Sequence, residues 1–120
     1  MRLRTDFWVT ALIRHVENAG ALATVMEKGA LEAGVVFLIV DGGDGTSDLY
    51  GPAPQSFFDS GSPTERVFIR LADGCPSPEL EARLASERRF DPDLWIVEIR
   101  DRQRRPFVDL VDDPAAHGRS

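Results

Sequence analysis

Gly34-Val35-Val36-Phe37-Leu38-Ile39-Val40 stops at Asp41-Gly42-Gly43-Asp44-Gly45, and the chain re-extends through Thr46-Ser47-Asp48-Leu49-Tyr50 before breaking at Gly51-Pro52-Ala53-Pro54. An apolar run bounded by turn residues is a buried strand, and Asp and Gly supply the positive φ of a tight reversal. The stretch therefore reads as a strand, a turn and a return strand, with Asp48, Tyr50 and Gln55 just past the hairpin tip. Because the run is apolar at every position, the first strand is expected at the centre of a sheet, covered on both faces.

Upstream, Thr5 and Asp6 open a segment in which Trp8, Leu12 and Val16 recur every four residues, flanked by Val9 and Ile13, with Gly20 at a helix-stop position. This predicts a helix from about Asp6 to Ala19. Small and branched residues from Ala21 to Glu27 read as a further strand, reversed at Lys28-Gly29. Downstream, Arg66-Val67-Phe68-Ile69-Arg70-Leu71 alternates as a strand should, with Arg66 and Arg70 facing solvent.

Ser77-Pro78-Glu79 is a helix start, with a hydroxyl at the cap, proline in the first turn and an acid against the dipole. Leu80 and Leu84 mark its buried stripe, Glu79 and Arg83 stand four apart on its exposed side, and Pro92 ends it by Phe90 or Asp91. Two further strands, Leu94 to Arg100 and Phe107 to Val111, are joined by the polar loop Asp101 to Arg105 and are expected to form a second hairpin. The sum is a single α+β domain over residues 1–111, in the order α-β-β-β-β-α-β-β. It predicts a mainly antiparallel sheet of about six strands with both helices on one face. Residues 112–120 carry no apolar periodicity and read as a flexible tail.

The chain has 120 residues, a net charge of -6, and Lys28 as its only lysine. That charge disfavours phosphate backbones, whose recognition starts from an excess of cations. Cys75 stands alone and cannot form an internal disulfide, which points to a reducing, cytoplasmic setting. Arg14, His15 and Glu17 cut the Phe7 to Ile13 stretch short of a secretory signal, and no window approaches the ~20 apolar residues of a membrane span.

Four segments resemble an uncharacterised family of small bacterial proteins, the domain of unknown function numbered 1491. They are Asp6-Phe7-Trp8-Val9, Glu32-Ala33-Gly34, Asp48-Leu49-Tyr50-Gly51-Pro52-Ala53-Pro54-Gln55 and Arg89-Phe90-Asp91-Pro92-Asp93-Leu94-Trp95-Ile96-Val97-Glu98. The resemblance implies a shared fold; it carries no activity, ligand or partner to transfer.

No chemical set is complete. Asp41, Asp44 and Asp48 mimic a calcium loop, but Gly43 and Gly45 stand where oxygen ligands belong and Pro52 where the closing Glu belongs. The same glycines lead into a strand, not the helix that a phosphate cradle requires. His15 and His117 are too far apart in role and sequence to suggest a metal pair, and Cys75 lacks a nucleophile signature. No cofactor is expected.

Three functions remain on the sequence. The first is a non-enzymatic protein-interaction module, binding a protein partner or itself through Asp48, Tyr50, Gln55, Phe57 and Phe58 on a proline-braced loop. The second is a small enzyme whose site gathers Asp48, Tyr50, Arg14, His15 and Asp91. The third is anion or nucleic-acid contact through Arg100, Arg102, Arg104 and Arg105.

Overall fold

A computed structural model describes residues 3–54 and 66–111. The order is α1 (Thr5–Asn18), β1 (Leu22–Glu27), β2 (Val36–Asp41), β3 (Thr46–Pro52), β4 (Val67–Pro76), α2 (Ser77–Phe90), β5 (Trp95–Arg100) and β6 (Asp109–Leu110). The strands make one sheet in the order β1-β5-β2-β3-β4-β6. The class is α+β, as expected, and the sheet is mixed: three ladders are antiparallel, while β2 with β5 and β4 with β6 run parallel.

The β2 and β3 hairpin forms where the sequence placed it, with Leu38 opposite Tyr50 and Asp41 opposite Ser47. Gly43 and Gly45, at φ 87° and 88°, supply the reversal, a conformation that any side chain with a Cβ disfavours. Asp41 accepts from the Gly43 amide at 2.8 Å and Asp44 from the Thr46 amide at 3.1 Å, so both carboxylates serve the turn.

Three expectations are corrected. First, β6 does not pair with β5. The chain leaves β5, crosses the α1 side of the sheet through residues 101–108, and joins β4 at the far edge. Arg104 and Phe107 hold φ of 57° and 63°, left-handed conformations that turn the chain away from its neighbour and cost about 1 kcal/mol or more each. The Phe107 and Val108 side chains packed on the α1 core offset that cost.

Second, the helices lie on opposite faces. Val36, Leu38 and Val40 pack with Val9, Leu12 and Val16 of α1, whereas Phe37 and Ile39 pack with Leu80 and Leu84 of α2. A strand apolar at every position presents greasy surface on both sides, and one layer of helices could cover only one of them.

Third, local caps give way to tertiary ones. Neither helix has a side-chain N-cap; Ser77 is already the first residue of α2, after Pro76. At α1 the Thr5 and Asp6 amides donate to the Glu32 and Leu31 carbonyls, at 3.3 and 3.0 Å. Arg83 pairs with Glu87 at 3.0 Å, not with Glu79. The C-termini do follow sequence: Gly20 takes φ 88° after α1, and α2 ends at Phe90 with Asp91 accepting from the Asp93 amide.

Candidate functional site

Three of the four segments of the family resemblance meet in space around the start of α1. Besides the contacts of Thr5 and Asp6, the Ala30 amide donates to Asp93 O and the Trp95 amide to Val35 O. The Trp95 indole donates to Ala30 O at 2.7 Å, and the Thr5 hydroxyl to Gly34 O at 2.8 Å. Gly29 backs directly onto the Asp93 and Leu94 carbonyls, where a Cβ has no room. These motifs tie the start of α1 to the start of β5, which is a folding task.

Asp48 and Tyr50 are likewise interior. Tyr50 is fully buried on the α1 face, its hydroxyl accepting from Arg70 at 3.3 Å; that bond, the largest cause, raises the Arg70 pKa above its ordinary value. Asp48 is 2% exposed and accepts from the Gly74 amide at 2.8 Å and from Arg104 at 3.2 Å. Arg104 also reaches the Asp44 carboxylate and the Thr46 hydroxyl, both at 2.6 Å. It thus fastens the crossover to the hairpin. Hydrogen bonds from the Thr46 hydroxyl and amide, followed by Arg104, lower the Asp44 pKa. Gln55, Phe57 and Phe58, and the tail expected at residues 112–120, lie outside the described residues.

The five-residue enzyme set does not converge. Asp48 and Tyr50 are buried in the sheet, Arg14 and His15 are exposed on α1, and Asp91 caps α2 on the opposite side. His15 instead meets the Phe107 ring edge-on at 5.5 Å. The arginine cluster is also largely engaged: Arg100 with Glu98, Arg104 as described, and Arg105 with Asp101 through two side-chain bonds of 2.9 and 3.0 Å. That fork, with the Arg105 amide added, holds the Asp101 carboxyl down at about 2 and raises the Arg105 pKa. Arg66 is not a solvent-facing cation either; it stands over the Trp8 ring and donates to the Thr5 hydroxyl at 2.7 Å.

What the α2 side presents is different in kind. Val35, Phe37, Pro52, Pro54, Ile69 and Leu71 floor a groove of about 340 Å³, with Arg83, Glu87 and Phe90 of α2, and Asp91 just past its end, along the rim. Phe90 is 91% exposed. Gly51 shapes the floor, since a Cβ there would meet Leu71 and Phe37 at 2.7 and 2.9 Å. A sequence signal for Phe90 existed: at ~100° per residue it stands about 120° off the stripe marked by Leu84, an aromatic that the helix's own core cannot use.

The molecule is thus a small α+β domain with one face covered by a helix and a crossover, which leave a hollow of about 240 Å³ between them, and the other left with an apolar channel beside an unburied aromatic. The chain belongs to the family described as Protein of unknown function (DUF1491), whose model matches residues 3–109. It is similar to a solution structure of a protein from A. tumefaciens, at 46% identity and TM-score 0.81, covering 95% of this chain and 98% of that one. A crystal structure of a family member from Caulobacter crescentus CB15 matches at 39% identity and TM-score 0.74, covering 92% and 99%. An NMR structure of a family member from the same organism matches at 38% and 0.73, covering 92% and 98%. No curated protein matches. No helix among the described residues is long and apolar enough to cross a membrane.

Proposed function

We propose that this chain is a small cytoplasmic, non-enzymatic protein-interaction module, and that it docks through the α2-side groove. The carrying observation is Phe90, 91% exposed on the rim of an apolar channel. An aromatic held in water beside apolar surface costs solvation free energy that a partner would recover, and aromatic anchors in such settings dominate interface energetics. Pro52 and Pro54, from the segment first singled out for partner binding, line the same groove. Asp48 and Tyr50 then serve by holding that segment, while Phe57 and Phe58 stay candidates on sequence grounds.

The test compares proteins retained from the source-cell lysate by the intact chain and by Phe90→Ser, with melting temperature as a control. A set of partners held by the first and lost by the second is expected. Identical retained sets would remove the groove from consideration.

A further inference from the structure

We propose that the groove's occupant is a second copy of this chain, seated about a two-fold axis by reciprocal insertion of Phe90; this rests on the groove being the docking surface. Phe90 is a knob on the rim of its own hole. A two-fold axis passing between knob and hole places each protomer's ring in the other's channel, against Phe37, Ile69 and Leu71, so both are satisfied by one operation. Closed isologous pairs need this kind of self-complementary patch.

The rim charges agree with that operation. Arg83 and Glu87 stand four residues apart on α2, Asp91 is the residue just past its end, and all three line the same groove. Running two such helices antiparallel about Glu87 sets Arg83 of each protomer beside the partner's Asp91, and the two Glu87 carboxylates that then meet at the axis are each held by their own Arg83 at 3.0 Å. A parallel arrangement would instead set Asp91 against the partner's Asp91. For chains that each carry a net charge of -6, such local complementarity fixes the orientation against the overall repulsion.

The experiment is sedimentation velocity of the full chain from micromolar to near-millimolar concentration, at low and high salt, for the native protein, Phe90→Ser and Asp91→Asn. Asn keeps an acceptor for the Asp93 amide. The native chain should show a reversible monomer–dimer equilibrium, weaker in high salt. Phe90→Ser should raise the dissociation constant by about tenfold or more, and Asp91→Asn by a few-fold with a flatter salt response. A native chain that is monomeric throughout overturns the proposal. So does a dimer indifferent to Phe90, which would point to another surface such as the β1 edge. If the chain is monomeric but lysate capture still depends on Phe90, the dimer falls and the interaction module stands; if neither depends on Phe90, both fall.

Discussion

The two faces of the sheet carry helices of equal length, 14 residues each, and are covered to different degrees. On one side α1 buries Thr5, Val9, Leu12 and Val16, and the crossover adds Phe107 and Val108. Stacked rings continue the cover: Trp8 lies on Phe68 with centroids 5.6 Å apart, and Arg105 sits 4.8 Å over Phe107. On the other side α2 buries Leu80 and Leu84 and leaves the groove open. Helix length does not explain the contrast. The path of the chain after β5 does, since Phe107 and Val108 of the crossover pack on the first face and are thereby withheld from the second.

The largest effect should come from the α1 face. Trp95, 3% exposed, fills the α1 core and bonds Ala30, so Trp95→Ala should cost about 3–5 kcal/mol in denaturant unfolding. A cost below about 1 kcal/mol would mean that this face is not the main source of stability.

Next comes the clasp of the crossover. Arg104→Met leaves Asp48, 2% exposed, with only the Gly74 amide of the partners described above. That should cost about 2–3 kcal/mol, less than for a fully buried pair because Arg104 is partly exposed. Amide exchange should quicken in residues 101–108 and in the hairpin but not in α2. Uniform quickening would erase the distinction between the faces.

Smaller still is Asp101. Its native carboxyl titrates at about 2, below the ordinary 3.8, so its contribution is full above about pH 4 and lost as pH falls toward 2. Asp101→Asn should lower stability at neutral pH by about 1 kcal/mol, allowing for solvent screening. It should also flatten the stability curve between those pH values, read by melts from pH 2 to pH 7. The smallest effect is at the open face, where Phe90→Ser should leave stability unchanged within about 0.5 kcal/mol while altering association.

Legibility followed the range of the interactions. The β2 and β3 hairpin, the end of α2 at Phe90 and the buried pair Leu80 and Leu84 were readable because each rests on neighbours a few residues away. In the sequence Arg104 is one arginine among four in a cluster, since its partners Asp44 and Asp48 lie 60 and 56 residues off. Ser77 failed as a cap because Pro76, at the end of β4, already occupies that place. Asp48 and Tyr50 stood out as polar residues past a turn, and what buries them is β4 and the crossover.

The sequence by itself determined the kind and order of the elements, though not the run of β4 on to Pro76 or the shortening of β6 to Asp109–Leu110. It did so through periodicities of two and 3.6 residues, glycine at the reversals, and an apolar strand that required cover on both sides. Only the tertiary structure decided which edges met, sending β6 to β4 and the two helices to opposite faces. Backbone pairing looks alike from any strand, so the choice of partner lies in the summed burial of distant side chains. That sum brought a helix and the crossover onto one face and left Phe90 outside the other.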